Sequence, residues 1–347
     1  MRSGGQTGVD YLTTEELLHC RAHGWPDVLG VALFSSHDAD LEAVGVPIAR
    51  VVASPLGNQS QLFEVWRAAG PFENGQAGLV HYRSNGRLLF GCVALPEARI
   101  ASKMTAAAAL QQAVERAYVE TFRCLEAVGF PHLLRVWNYL PEINRESDGT
   151  ERYQRFNAAR QRAFLMYRRD VTGNLPAACA LGSAPGSPFV VYFLAGTGPG
   201  SAIENPRQIA AYDYPPQYGT SSPTFSRATL TCRTSAPLLL VSGTASIVGH
   251  SSVHTDDVVS QTRETMANIQ ALVAEANRAA GEERFALARL KYKVYLRQAA
   301  DLAVVLHELR QALGSDAPVV FLQADICRTD LLVEIEAVGD GRSTQSH

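Results

Sequence analysis

The sequence has few of the features that mark secreted, metal-binding or membrane proteins. Its 347 residues include six cysteines and no Cys-x-x-Cys pair, which argues against a disulfide framework or a zinc knuckle and favours reduced, mostly buried thiols. No run of about 18 apolar residues exists that could span a bilayer. The first residues lack the apolar core of a signal peptide. We therefore expect a cytoplasmic protein that does not associate with a membrane.

The chain also lacks an excess of positive charge. It contains 31 lysines and arginines against 34 aspartates and glutamates, a formal net charge of -3. A domain that binds nucleic acid through its phosphates is usually basic, so we expect no nucleic-acid partner. The hydrophobic share of 46% and the charged share of 19% are ordinary for a globular protein.

The second half of the chain alternates predicted strands and helices. Helical spacing of apolar residues predicts helices, and runs of alternating or continuous apolar residues predict strands. The predicted elements, in order, are a strand at 238–246, a helix at 258–280 capped by Asp256 or Asp257, a strand at 287–296, a helix at 301–313 and strands at 319–324 and 331–338.

The first half shows the same order in weaker form. A buried strand at 88–95 precedes an alanine-rich helix at 105–128 that ends at Gly129, and a strand at 133–139 follows. Two β-α-β units of matching order predict an α+β fold with duplicated modules, in which mixed sheets carry their helices on one side. We expect an N-terminal domain at 1–160 and a C-terminal domain at 161–347.

Arginine and tyrosine are concentrated between the two halves. Residues 142–170 contain seven arginines, and the stretch 203–219 is rich in proline and tyrosine, which predicts a structured loop. Loops that combine these side chains suit an anionic, ring-shaped ligand. We expect the active site near the segment 142–230.

Three short motifs lack part of the pattern that would make them a phosphate-binding loop, a metal site or a nucleophile elbow. The glycine-rich run at 196–200 lacks the Lys-Ser/Thr that follows the glycines of a phosphate-binding loop. His250 and His254 have metal-ligand spacing but no evident third ligand, so hydrogen bonding is the favoured role. Ser242 lacks the Gly-x-Ser-x-Gly frame of a nucleophile elbow, and the small residues at 243–245 favour close approach of a ligand or a backbone.

The last predicted strand carries two acids on one face. Leu331, Val333 and Ile335 alternate with Leu332, Glu334 and Glu336. Periodicity alone favours a half-buried strand whose acids face water. The alternative is a partly buried carboxyl at Glu334, whose raised pKa would let it act as an acid.

Several segments resemble known families. The segments VSGTAS at 241–246, QTRETMANI at 261–269 and LVEIEA at 332–337 together resemble the RidA/YjgF fold. A longer set resembles the chorismatases, whose chain is built from RidA/YjgF-like modules. That set comprises RVWNY at 135–139, EINR at 142–145, Tyr153 with Arg160, IENPRQ at 203–208, Tyr218-Gly219, FSRAT at 225–229, SGTASIVGH at 242–250 and ADICRTDLLVEIE at 324–336.

The resemblance implies a substrate and a set of site residues. The substrate would be chorismate, a cyclohexadiene with two carboxylates and an enolpyruvyl ether. Glu334 matches the family's catalytic acid, which would protonate the terminal methylene of the enolpyruvyl group and so let pyruvate leave. The implied substrate-binding residues are Arg145, Tyr153, Arg160, Arg207, Tyr218, Arg227 and Ala245. The resemblance implies neither a metal nor an organic cofactor.

The family pattern leaves the product open between two outcomes. Aromatising members give 3-hydroxybenzoate, some of them with 4-hydroxybenzoate, whereas hydrolytic members release a dihydroxycyclohexadiene carboxylate. Cys327 resembles the aromatising pattern, since hydrolytic members tend to carry a small residue without a thiol, although it could also be an inert buried thiol. A RidA-like deaminase or a carboxylate-binding protein is the further alternative. A chain that carries its repeats covalently is expected to be a monomer.

Overall fold

The computed structural model describes residues 7–37, 45–100, 105–231 and 237–341. Its strands are β1 (Gly8–Leu12), β2 (Val28–Ser35), β3 (Ile48–Val52), β4 (Ser54–Pro55), β5 (Gln61–Arg67), β6 (Glu73–Ala77), β7 (Val80–Ser84), β8 (Leu88–Leu95), β9 (His132–Pro141), β10 (Glu146–Ser147), β11 (Thr150–Glu151), β12 (Ala177–Ser183), β13 (Phe189–Gly196), β14 (Gly200–Ile203), β15 (Ala228–Thr231), β16 (Leu238–Ala245), β17 (Ile247–Val248), β18 (Ser251–Ser252), β19 (Lys291–Leu296), β20 (Val319–Gln323) and β21 (Val333–Asp340). Its helices are α1 (Thr14–Ala22), α2 (Glu97–Ile100), α3 (Ala106–Val128), α4 (Arg152–Met166), α5 (Val258–Ala280) and α6 (Leu302–Leu313).

Three large sheets organise these elements. The N-terminal sheet has the strand order β1-β5-β2-β3, the six-stranded sheet β12-β9-β13-β8-β7-β6, and the seven-stranded sheet β14-β15-β16-β21-β19-β20-β4. Each sheet contains one parallel pair among antiparallel neighbours: β2 with β3, β12 with β9, and β19 with β20. The predicted α+β class with mixed sheets is confirmed.

Helices cover one side of each sheet. Phe156 of α4 meets Phe189 of the six-stranded sheet with ring centroids 6.0 Å apart, and α3 shares the same apolar cluster. Ile269 of α5 and Leu309 of α6 are buried with the strands of the seven-stranded sheet, while Leu17 of α1 covers the N-terminal sheet. Among the described residues, no helix is long and apolar enough to cross a membrane.

The opposite faces of the three sheets meet in a common core. Trp66 of the N-terminal sheet lies 5.4 Å from Trp137 of the six-stranded sheet, measured between ring centroids, and Tyr192 stacks on Trp137 at 4.6 Å. The Tyr139 hydroxyl is 2.6 Å from the Tyr295 hydroxyl of the seven-stranded sheet. Both faces of β21 are therefore covered, one by helices and the other by neighbouring sheets.

The elements predicted in the second half agree closely with those observed. α5 spans 258–280 as predicted, with Asp257 as N-cap and Gly281 at positive φ after its last turn. The strand predicted at 287–296 begins only at Lys291, because Leu287–Arg289 form a short 3-10 helix. The N-terminal sheet and α4 were not predicted.

Strand pairing extends the six-stranded sheet past the predicted domain boundary at 160/161. β12 pairs with β9, and β13 pairs with both β8 and β9. The sheet that begins in the first half of the chain thus continues to Gly196.

Candidate active site

Glu334 lies at the second position of β21, in the interior of the protein. Its pairing partners are Ala245 in β16 and Tyr295 in β19. Val333 and Ile335 point towards the helices, so Glu334 points towards the neighbouring six-stranded sheet. Only 3% of Glu334 is exposed, and the interpretation of its carboxyl as a solvent-facing group is wrong. Local periodicity could not show that a second sheet packs on this face.

A β-bulge in β16 leaves room for the Glu334 carboxyl. Between Val241 and Thr244 the chain advances three positions while β21 advances two, which places an extra residue in the strand. A Cβ at Gly243 would lie 1.9 Å from Glu334 Oε1 and 3.0 Å from the Cys179 Cβ. Glycine is therefore needed here because the catalytic candidate fills the space that a side chain would take.

The bulge also connects the two large sheets. Ser242 is fully buried, and its hydroxyl donates to the Ser226 carbonyl at 2.6 Å and accepts from the Ala178 amide at 2.9 Å. Its own amide donates to the Arg227 carbonyl at 3.0 Å. Ser242 thus holds β12 and Arg227 beside β16.

Glu334 lines a small cavity between the six-stranded and seven-stranded sheets, closed on one side by α4. The cavity measures about 30 Å³. The residues that line it are Tyr153, Arg160, Ala178, Cys179, Ala180, Phe225, Gly243, Cys327 and Glu334. Four of the predicted site residues, from distant parts of the chain, therefore share one cavity: Tyr153, Arg160, Cys327 and Glu334.

Burial and charge together keep the Glu334 carboxyl protonated. Burial raises its pKa, the neighbouring Glu336 raises it further and Arg135 lowers it, which brings the pKa to about 8. Among the described residues, no cation forms an ion pair with Glu334. Burial and the charge of Glu334 also raise the pKa of Cys327 to about 12, so both groups are neutral at neutral pH.

Arg160 brings a positive charge into the same cavity. It is 2% exposed and donates to Asn157 Oδ1 at 3.4 Å, and its guanidinium lies 4.9 Å from the Phe156 ring centroid. In the described part of the chain no carboxylate forms an ion pair with Arg160, and its Nε has no hydrogen-bond partner. An unpaired buried cation is costly, so this position suits an anionic ligand.

A second group of cations and phenols lies next to Cys327. Arg227 is 4% exposed and donates to the Tyr214 hydroxyl at 2.7 Å. Arg328 stacks on Tyr218 at 4.1 Å and on Tyr214 at 5.2 Å, measured to the ring centroids. The Tyr218 hydroxyl lies 3.1 Å from His250 Nδ1. Neither guanidinium forms an ion pair within the described residues, and Arg328 Nη2 has no hydrogen-bond partner there.

Three predicted binding residues belong neither to the cavity lining nor to the group next to Cys327. The Arg145 side chain is 62% exposed and pairs with Glu142, and Arg207 pairs with Glu264. Ala245 is buried and pairs with Glu334 across the strands, so it shares the sheet face of Glu334, but it is not one of the residues that line the cavity. A role for these three residues in substrate binding stays a prediction.

The two histidines of the sequence motif take part in hydrogen bonds. His250 bonds with Tyr218, as described above, and His254 Nε2 lies 3.3 Å from Glu264. Within residues 7–37, 45–100, 105–231 and 237–341, no three histidines, cysteines or acids lie close enough together to hold a metal ion.

Comparison with known proteins finds relatives over most of the chain. The sequence profile for the N-terminal domain of FkbO/Hyg5-like chorismatases matches residues 64–195. A 3-hydroxybenzoate synthase from Streptomyces hygroscopicus is 36% identical over 79% of this chain and 80% of its own length. A chorismatase from Streptomyces rapamycinicus is 37% identical over 85% of this chain and 87% of its own.

A solved structure extends the similarity over nearly the whole chain. The crystal structure of a chorismatase at 1.08 Å resolution superposes with a TM-score of 0.84 and 32% identity, covering 98% of this chain and 100% of the other. The fold and these relatives together define the class: an α+β enzyme. The chain belongs to the chorismatase family.

Sequence reasoning missed several residues of the cavity. Cys179 and Phe225 carry no local pattern that separates them from ordinary core residues. Gly243 was recognised as making room, but what fills the space could be seen only in the structure. Arg328 directly follows Cys327, and that adjacency was the available signal for it.

Proposed function

We propose that this enzyme converts chorismate to 3-hydroxybenzoate and pyruvate and that Glu334 is the acid that starts the reaction. The observation that carries the proposal is a buried, protonated carboxyl in a cavity shared with an unpaired guanidinium, Arg160. Relatives named 3-hydroxybenzoate synthase and chorismatase support the substrate and the product.

Protonation of carbon is the demanding step of this chemistry. The terminal methylene of the enolpyruvyl group must accept a proton, which makes the ether oxygen part of an oxocarbenium ion. The neighbouring ring hydroxyl then attacks the ring carbon that bears this oxygen, and the bond between that carbon and the oxygen breaks, so that its electron pair leaves with pyruvate. The ring then loses a proton and aromatises to 3-hydroxybenzoate. A general acid works best when its pKa lies near the working pH. The pKa of about 8 at Glu334 keeps its proton available at neutral pH without holding it too tightly to give up.

The cations of the site supply partners for the two substrate carboxylates. Arg160 lies in the cavity with Glu334, while Arg227, Arg328 and Tyr218 form a group next to Cys327. We propose that one carboxylate binds at Arg160 and the other at the Arg227 group. Charge-assisted hydrogen bonds from guanidinium groups fix both the position and the orientation of a carboxylate.

The product of the wild-type enzyme tests the proposal directly. Purified, metal-free protein incubated with chorismate is expected to yield 3-hydroxybenzoate and pyruvate in equal amounts, measured by chromatography. A dihydroxycyclohexadiene carboxylate in place of the aromatic acid would show a hydrolytic enzyme. Absence of pyruvate would reject the chorismate reaction in favour of a RidA-like deaminase or a carboxylate-binding protein.

Cys327 is expected to control the product. Its thiol lines the cavity with Glu334 and stays protonated, because burial raises its pKa to about 12. Cys327→Ala is expected to lower the ratio of 3-hydroxybenzoate to dihydroxycyclohexadiene carboxylate, because a methyl group leaves space for water and removes the thiol. Chromatography of both products measures the ratio. Cys124→Ala, at a buried thiol on the helix side of the six-stranded sheet, is the matched control. An unchanged product ratio in Cys327→Ala would show that the Cys327 thiol is inert.

The organisation of the chain supports further proposals. We propose a boundary between the two large modules near residue 197, because β12 and β13 belong to the six-stranded sheet and the matched family domain ends at 195.

We propose that the enzyme acts as a monomer, since the cavity is lined by residues of one chain. The scattered free cysteines favour a cytoplasmic location.

A further inference from the structure

Four charged side chains are buried where the three sheets meet. Glu64 comes from the N-terminal sheet, Arg135 from the six-stranded sheet, and Lys293 and Glu336 from the seven-stranded sheet. None is more than 4% exposed. We call these four residues the central charge cluster; its two acids and two bases balance.

Glu336 accepts hydrogen bonds on both carboxylate oxygens. Oε1 accepts from Lys293 Nζ at 2.7 Å and from the Tyr295 hydroxyl at 2.6 Å. Oε2 accepts from Trp137 Nε1 at 2.8 Å and from Arg135 Nη2. Burial alone would raise the pKa of Glu336, but Lys293 and Arg135 bring it below its ordinary value. Glu336 is therefore an anion throughout the neutral range.

This permanent anion is the near neighbour of the proposed acid. Glu334 and Glu336 are two residues apart on the same face of β21, a spacing of roughly 7 Å along the strand. Both are buried, so water screens their repulsion poorly. The two carboxyl groups differ in their ion pairs: Glu336 pairs with two cations, whereas Glu334 pairs with none within the described residues.

Other ionisable groups face this pair from every element packed against it. They are Tyr11 of β1, Glu64 of β5, Arg135 and Tyr139 of β9, Tyr153 and Arg160 of α4, Cys179 of β12, Tyr192 of β13, Lys293 and Tyr295 of β19, and Cys327 and Arg328 before β21. Burial raises the pKa of the phenols and thiols among them, which stay neutral. Lys293 is shared with Glu64, whose carboxylate accepts from it as well.

Arg135 opposes Glu336 in its effect on the acid. One of its terminal nitrogens donates to Glu336, and the other, Nη1, has no hydrogen-bond partner among the described residues. Its positive charge favours ionisation of Glu334, whereas the negative charge of Glu336 disfavours it. Changes at the two residues should thus affect Glu334 in opposite directions.

We propose that Glu336 is a positioning residue of the reaction: its buried carboxylate, held by Lys293 and Arg135, keeps the proton on Glu334 until the substrate is bound. The proposal rests on the role of Glu334 as the acid. It gives the central charge cluster a second task beyond joining the three sheets.

The test is the pH dependence of kcat/KM for pyruvate release, which reports ionisation in the free enzyme. The wild-type rate is expected to fall as Glu334 loses its proton, on the alkaline side. In Glu336→Gln this fall is expected at a pH lower by about one to two units, because the opposing anion is gone and Arg135 is left uncompensated. In Arg135→Met the fall is expected at a higher pH.

Glu64→Gln is the matched control. It removes a buried carboxylate that also binds Lys293, but burial, Glu336 and Arg135 are what shift the pKa of Glu334, so the alkaline fall should stay at the wild-type pH. A purely structural role for Glu336 would lower the rate at every pH without moving the fall. If Glu336→Gln does not fold, the test is made with Arg135→Met alone. An alkaline fall of kcat/KM that stays at the wild-type pH in Arg135→Met, or moves to a lower pH, overturns the proposal.

The two proposals fail in different ways. Full activity in Glu334→Gln would reject the assignment of Glu334 as the acid, whatever the Glu336 variant shows. If Glu334→Gln is inactive and the alkaline fall of Glu336→Gln stays at the wild-type pH, the assignment of Glu334 as the acid stands and the role of Glu336 is rejected.

Discussion

Glu334→Gln is expected to lose pyruvate release almost completely, with kcat lowered by about a hundredfold to ten-thousandfold. Glutamine keeps the size and polarity of the side chain but cannot donate a proton to the substrate methylene. Substrate binding should persist, because the guanidinium groups are untouched. Steady-state rates of pyruvate formation give kcat, and binding of chorismate to the inactive variant can be followed by calorimetry.

The stability of the same variant provides a control for folding. The pKa of Glu334 is raised from 4.5 to about 8 in the folded protein. Between these values the unfolded chain gives up its proton while the folded protein keeps it, so the free energy of unfolding falls as pH rises from about 4.5 to about 8. Glu334→Gln lacks this loss and should melt at a higher temperature than the wild type near pH 8. A lower melting temperature with low activity would indicate damage to the fold instead.

The sequence could predict the elements whose signals are local. The apolar stripe of α5, its cap at Asp257 and the glycine after its last turn all lie within one short segment. α3 likewise ends at Gly129, which adopts a positive φ. Such elements depend on neighbouring residues, and their bounds were predicted within a residue or two.

α4 was missed because its signals conflict. The helix has no side-chain hydrogen bond at its N-cap, and its sequence is dominated by polar residues. Two of its arginines, Arg152 and Arg160, are nevertheless buried. Arg152 is paired with Glu97, whereas Arg160 faces the cavity. The arginine-rich sequence suggested a loop, but the segment forms a helix that contributes Tyr153 and Arg160 to the cavity.

The position of Glu334 could not follow from periodicity for a related reason. Alternation correctly separates Val333 and Ile335 from Glu334 and Glu336. What covers the second face is the six-stranded sheet, from a distant part of the chain. The family resemblance supplied this long-range information, and it brought Cys327, Tyr153 and Arg160 to the acid as well. It could not separate those residues from Arg145 and Arg207, because ion pairing depends on the fold.

Arg160→Met is expected to raise the KM for chorismate by about 30-fold to several thousandfold, the effect of removing one member of a buried charge pair. The Arg160 guanidinium is buried and has no ion-pair partner in the described chain, so the substrate carboxylate would be its counterion. Methionine preserves much of the side-chain volume and its contact with Phe156. Initial rates over a wide range of chorismate concentrations separate KM from kcat.

Arg145→Met is the matched control, since Arg145 was predicted from the same resemblance but is exposed and paired with Glu142. Loss of an exposed ion pair costs at most about 1 kcal/mol, so its KM should change less than about fivefold. Arg160→Met should also melt at a higher temperature without substrate, because it removes an unpaired buried charge, and it should gain less stability from added chorismate. An unchanged KM in Arg160→Met, or a larger effect in Arg145→Met, would place the substrate carboxylate outside the cavity beside Glu334.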